Sequence, residues 1–452
     1  MILLVLVIVL EVAVGILYGF FASNVTGENS LTNSLEFILT NALAVLGFGL
    51  LLVHQRHSVR QMLFSTIFVA SINMQLGPLL QKFWYDVFIH GFHWKNDDLR
   101  SSTFIAESGG SQIDMNLGFL RVSTLCTIGL LAALSGVTGR MGVISLFIST
   151  TIFNFGFNLS YYLNCMIAHK YPGDLIFDDF NGSRVFSFAA GFGLALTSIY
   201  HCAKPVLREQ NQKAVDSSMF SGILTLLGTG FTFCLFYYII DPHSKSNKFL
   251  GMFNVLIALC GTVLTGMAMS SLIKGKISFL GVNFGILSGV IMLAIIGNFI
   301  FNPFVAMIVG VSGGVLSGLG LYIHDKRNSK KITDTKGFFP VIFLSCIFGS
   351  YMVVPIILKA YENSHRNLDF NEGRHMVYTS ISIGIGFFFG ILASLFKFCL
   401  GEKPLMRDYT FFSESFNINK QPAIKPSIST NKRVSQEMVL KDKDTKGGTH
   451  GK

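Results

Sequence analysis

The stretch Asp178–Leu194, DDFNGSRVFSFAAGFGL, decides the fold. Two carboxylates and an Asn-Gly turn give way within a few residues to an apolar segment in which Gly191 and Gly193 are interleaved with phenylalanine and leucine. A polar loop running directly into a glycine-punctuated apolar helix is expected where a chain re-enters a bilayer, because lipid offers the backbone no partners and the segment must satisfy its own hydrogen bonds. Acidic groups at such an entrance point to a pathway beside it.

The rest of the chain agrees. Hydrophobic residues make up 51% of the 452 and charged residues 13%, with a mean hydropathy of +0.54. That balance excludes a soluble globular chain. Windows of about 20 apolar residues recur about twelve times, near 1–22, 35–53, 61–83, 117–138, 143–168, 185–202, 219–240, 250–273, 277–296, 303–323, 338–361 and 376–400. An all-α integral membrane protein of about twelve transmembrane helices follows, since helices of this length satisfy their own backbone in lipid. The 45 glycines suit helices that approach closely, because between helices in lipid it is packing, not a hydrophobic drive, that favours contact.

The formal charge of +10 raises the possibility of nucleic acid, but the basic residues lie in short loops and in the tail rather than on one face. Alternate loops carry Arg56 and Arg60, Arg140, Lys204 with Arg208 and Lys213, Lys274 with Lys276, and the cluster from Lys326 to Lys336. The positive-inside rule assigns these to the cytoplasm and the other loops, among them 86–116, the Asp178 loop and 362–375, to the outside. Twelve spans then place both termini in the cytoplasm. The first segment stays open between two readings: Glu11 suits a retained helix that uses its carboxylate, while Phe21-Ala22-Ser23 suits a signal-peptidase site, which would leave one span fewer. Residues 1–400 make the membrane domain. Residues 401–452, rich in Lys, Ser and Asn, make a disordered cytoplasmic tail able to rest on anionic lipid.

Asn24-Val25-Thr26, in the first outer loop, is a candidate N-glycan acceptor; Asn181-Gly182-Ser183 also matches but sits against a helix start. The seven cysteines are scattered singly and read as small hydrophobes, with no metal site and no cofactor implied. Catalytic sets are missing too, so the chain is not read as an enzyme, and Gly310-Val311-Ser312-Gly313-Gly314, inside an apolar span, reads as helix packing rather than a phosphate loop. Asn73, Gln75, Asn154, Asn158, Asn164, Asn254 and Asn283 lie within spans. Such amides bond a neighbouring helix more often than they line a path. Arg121, within a turn of its helix start, is expected to snorkel outward.

Several stretches, taken in order, resemble one family. They are Leu10-Glu11-Val12-Ala13 with Leu17-Tyr18-Gly19-Phe20-Phe21, Leu46-Gly47-Phe48-Gly49 with Arg56-His57-Ser58 and Gln75, Gly136-Val137-Thr138-Gly139-Arg140, Phe188-Ala189-Ala190 with Phe192-Gly193-Leu194, Phe253-Asn254 with Val263-Leu264-Thr265, and Asn302-Pro303-Phe304. Together they resemble the Rh branch of the ammonium transporter superfamily. The resemblance implies an inverted-repeat bundle in the plasma membrane, as a homotrimer or a hetero-oligomer with other Rh subunits. Each subunit would enclose a narrow pore for ammonia or ammonium, or for another small neutral molecule such as carbon dioxide.

Conducting members carry two facing pore histidines, and the resemblance places those positions at Phe186 and Ile342. Neither is histidine, and all eleven histidines of the chain fall in loops, the tail or helix ends. The resemblance places the family's paired aromatic gate at the outer mouth at Leu125 and Ile239, both apolar seals, although a small register shift would bring Phe231, Phe233, Phe236, Tyr237 or Tyr238 to the second position. Asp178, eight residues before Phe186, takes the place of the family's outer-mouth aspartate. An ordinary carboxylate favoured by a helix N-terminus would read the same, and Asp179 competes for the role. Two functions are therefore expected in turn: a channel that passes a small neutral molecule without histidine assistance, or a non-conducting scaffold resembling the erythroid Rh polypeptides.

Overall fold

The computed structural model describes residues 2–21, 42–50, 59–88, 117–137, 141–169, 182–203, 222–231, 248–275, 279–296, 302–327, 338–356 and 372–400. Each of these stretches is helical over most of its length and falls on one expected span. In chain order they are α1 (Ile2–Phe21), α2 (42–50), α3 (Val59–Asp86), α4 (Leu117–Leu134), α5 (Val143–His169), α6 (Gly182–Ala203), α7 (222–231), α8 (Lys248–Lys274), α9 (Phe279–Ile296), α10 (Pro303–Arg327), α11 (338–356) and α12 (Glu372–Leu400). Among the described residues, five of these helices are long and apolar enough to cross a membrane unaided: Leu63–Asp86, Val143–Asn164, Phe253–Ile273, Pro303–Ile323 and His375–Phe396.

The packing repeats with an offset of five helices. α3 lies against α4 and α5, and α4 against α6; likewise α8 lies against α9 and α10, and α9 against α11. Five is odd, so the second unit runs through the membrane in the opposite sense to the first. The fold is an inverted repeat in which α6 and α11 are counterparts. α12 closes the first unit by packing along α6 and α5. α4 and α9 form the centre: every side chain from 121 to 137 and from 282 to 295 is buried.

Glycine sets the closest approaches. A Cβ at Gly191 of α6 would fall on the carbonyl oxygen of Ile383 in α12, and one at Gly390 would lie 2.6 Å from the carbonyl oxygen of Phe192. In the second unit a Cβ at Gly313 would lie 2.7 Å from the Cα of Gly289, and one at Gly314 2.9 Å from the Cβ of Thr265. The glycine run of α10 is thus helix packing, as its place in an apolar span indicates.

Polar side chains do the same work at longer range. Asn154 Nδ2 donates to Asn73 Oδ1 at 3.2 Å, joining α5 to α3, and Asn164 Nδ2 donates to Ser382 Oγ at 2.7 Å, joining α5 to α12. Asn158 turns back on its own helix, donating to Asn154 Oδ1 at 2.6 Å. The carboxylate of Glu11 is used: it accepts from Gln75 Nε2 at 3.1 Å, while the Tyr18 hydroxyl donates to the Gln75 carbonyl at 2.9 Å. Glu11 and Tyr18 of α1 are therefore both latched to one residue of α3, Gln75. Gln75→Leu leaves that carboxylate without its amide and is expected to cost about 1 kcal/mol, a typical net value for one hydrogen bond, read as a lower melting temperature in detergent.

Arg121 does not snorkel. It is 4% exposed, because α4 is enclosed by α3, α5 and α6 rather than bordered by lipid. Cys126 and Cys346 are buried thiols and Cys260 an exposed one, all free.

Candidate functional site

The orientation of α6 is fixed by three of its faces. Phe188 and Phe192, one turn apart, meet Phe153 of α5 edge to face, each with a centroid separation of 4.9 Å, the geometry that ring quadrupoles favour. Gly191 turns to α12, and a Cβ at Gly182 would fall on the Ala294 carbonyl of α9. At about 100° per residue, Phe186 points away from Phe188 and shares the face of Gly182. That face looks towards α9 and the middle of the bundle. Val185 borders α4, where a Cβ at Gly129 would lie 3.2 Å from its Cγ1.

Its counterpart arrives from the opposite direction. The first turns of α11 pack on α6 and reach α4 and α9, and Ile342 is the fifth residue from Phe338 just as Phe186 is the fifth from Gly182. Phe186 has no exposed surface and Ile342 only 2%. Leu125, one turn below Arg121 on α4, is equally enclosed at 1%. Phe186, Ile342 and Leu125 all belong to the buried apolar core of the bundle. Ile239, Asp178 and Asn24 lie outside the described residues.

α11 is not a regular helix. Phe338–Phe343 and Gly349–Val353 are wound as π-helix around a short α segment, Leu344–Phe348. π turns are rare and recur where a helix must re-aim side chains. Ile342 lies within the first of them. Sequence offers one cue, Pro340, which supplies no N–H to the opening turn. Next to Ile342, Ser345 Oγ meets Ser288 Oγ of α9 at 2.5 Å, both buried.

The end of the first unit where α3 finishes and α6 begins carries charge and aromatic rings that sequence reading did not single out as a group. Lys82 pairs with Asp86 at 2.8 Å and stands 5.4 Å from the centre of the Tyr85 ring. Arg184 lies 5.1 Å from that of Tyr161. Rings connect the two cations, since Tyr162 is 6.4 Å from Tyr85 and 5.8 Å from Tyr161. Cations over ring faces are held by the quadrupole, so this belt ties α3, α5 and α6 together at that end.

Chemically, Phe186, Ile342, Val185, Val341 and Leu125 are uniformly apolar and closely packed. They present no titratable group, and a bare cation among them would lose its hydration without repayment.

An inverted five-helix repeat with two counterpart helices meeting at a buried centre defines a helical membrane bundle. A sequence profile of the Ammonium Transporter Family matches residues 1–405. The chain belongs to that family and is an integral membrane protein. It is 22% identical over 383 residues to the ammonium transporter Rh type C of Xenopus laevis, covering 80% of this chain and 74% of that one. To the ammonium transporter Rh type B of Danio rerio it is 24% identical over 376 residues, covering 76% and 74%. These relatives place it in the Rh branch. Among solved structures, Nitrosomonas europaea Rh50 superposes with a TM-score of 0.66 at 19% identity, covering 91% of this chain and 96% of that one.

Proposed function

We propose that the chain is an Rh-type subunit that passes ammonia, or another small neutral molecule such as carbon dioxide, along the path between α4, α6, α9 and α11, with the family's pore histidines replaced by Phe186 and Ile342. The observation that carries this reading is the apolar, fully enclosed meeting of the first turns of α6 and α11. Such a centre suits a neutral solute that moves between side chains and is hostile to ammonium as an ion. Leu125, with Ile239, would act as apolar seals and Asp178 as an outer-mouth carboxylate. In this reading the subunits form a homotrimer, or a hetero-oligomer with other Rh subunits, in the plasma membrane, with both termini cytoplasmic, a glycan on Asn24 and residues 401–452 as a tail.

One observation favours a second reading. Phe186 has no exposed surface, so the path is shut at that level, as a non-conducting structural subunit would require. Stopped-flow measurement on proteoliposomes separates the two. Ammonia entry several-fold above protein-free vesicles is the expected result; entry equal to protein-free vesicles, with incorporation verified, would establish the structural subunit instead.

A further inference from the structure

Many buried hydroxyls among the described residues are committed to their own helix. Ser123, Thr127, Thr150, Thr229 and Ser394 each donate to the carbonyl four residues back. That is the usual way for a membrane helix to satisfy a hydroxyl. Ser160 instead reaches Ser382 across helices at 3.3 Å, and Ser288 and Ser345 depart from the pattern with a shorter bond. Their hydrogen bond is to each other, across α9 and α11, at 2.5 Å. Two hydroxyls hold two hydrogens, and one such bond uses one of them. The pair therefore keeps one O–H and spare lone pairs uncommitted, in a buried site one turn from Ile342 and between the two π-wound segments of α11.

We propose that Ser288 and Ser345 form the hydrogen-bonding station of the central path, recognising a neutral solute that can both donate and accept a hydrogen bond, which is the chemistry of ammonia. The assignment rests on the transport reading above. Ammonia offers a lone pair to the spare O–H and its own N–H groups to the serine oxygens. Carbon dioxide has no hydrogen to give and gains little from the pair. Serine hydroxyls do not take up a proton in the range where imidazole does, so this station handles the solute without carrying its proton. That distinguishes it from a histidine relay, and it suits the apolar residues around it.

The test is stopped-flow entry of ammonia and of carbon dioxide into proteoliposomes holding the unaltered chain, Ser288→Ala, Ser345→Ala or Ser345→Thr. Loss of one hydrogen bond in the path is expected to lower ammonia entry by about three- to tenfold in each alanine variant, with carbon dioxide entry unchanged and Ser345→Thr near the unaltered rate. Ammonia entry unaffected by either alanine overturns the assignment while leaving the transport reading intact. An equal fall for both gases overturns it too, since that marks a loss of packing. If the unaltered chain passes ammonia no faster than protein-free vesicles, the transport reading fails and the assignment with it.

Discussion

Gly191→Leu is expected to abolish the recovery of folded protein. α6 and α12 touch through their backbones: a Cβ at Gly191 would land on the Ile383 carbonyl and lie 2.9 Å from the Phe387 nitrogen, and a Cβ at Gly386 would fall on the Phe188 carbonyl and 3.1 Å from the Phe192 nitrogen. No rotamer relieves a clash that begins at Cβ, so the helices must separate. Separation removes Phe188 and Phe192 from Phe153 and uncouples α12 from the first unit. Overpacking a core commonly costs about 1–3 kcal/mol where side chains can shift; here the obstacle is backbone, and the cost is expected to exceed that range. Fluorescence-detected size exclusion reads the result as loss of the monodisperse peak. Gly384→Leu is the control. Nothing lies within 4 Å of the Cβ position there, and the peak and melting temperature are expected to stay as they are. An unchanged peak for Gly191→Leu would mean that α6 and α12 do not cross as described.

How much of this was legible beforehand depends on the reach of each interaction. Helix positions were, because runs of apolar residues bounded by turns are local facts, and α6 starts at Gly182, three residues ahead of the apolar run at Val185. The role of Gly310–Gly314 was legible for the same reason. The bonding of Asn73, Gln75, Asn154 and Asn164 to other helices could be expected as a class, since an amide in lipid must find a partner, but the partners could not: Asn164 and Ser382 are 218 residues apart. Arg121 was misjudged because a position near a helix start says nothing about which helices surround it. The Ser288–Ser345 pair had no pattern to announce it, and of the π turns of α11 only the first has a local cue, Pro340. A serine in an apolar span usually turns to its own carbonyl, and only the three-dimensional structure reveals that these two do not. Phe186 and Ile342 were named by resemblance alone, while their burial is a tertiary fact.

Phe186→Ala is expected to raise the entry of ammonia and carbon dioxide together, and Phe186→His combined with Ile342→His to raise ammonia alone. The two changes act on different properties of the centre. Alanine removes the largest ring from a packed site with no exposed surface. The fixed faces of α6, with Phe188 and Phe192 on α5 and Gly191 on α12, keep its backbone from closing the gap. A cavity persists under these conditions, at a stability cost of about 3–5 kcal/mol for a buried phenylalanine, which a lower melting temperature records. A gap of that kind has no chemical preference, so both gases gain. The histidine pair keeps much of the ring volume but adds nitrogen donors and acceptors on two counterpart helices that pack at this level. A gain of about 1.4 kcal/mol in the barrier is tenfold in rate, within reach of one added hydrogen bond to ammonia and without effect on carbon dioxide. Stopped-flow traces on matched proteoliposomes distinguish the outcomes. If neither variant exceeds the unaltered chain while both remain folded, Phe186 is not the obstruction, and the closure lies instead with seals such as Leu125 that both variants leave in place.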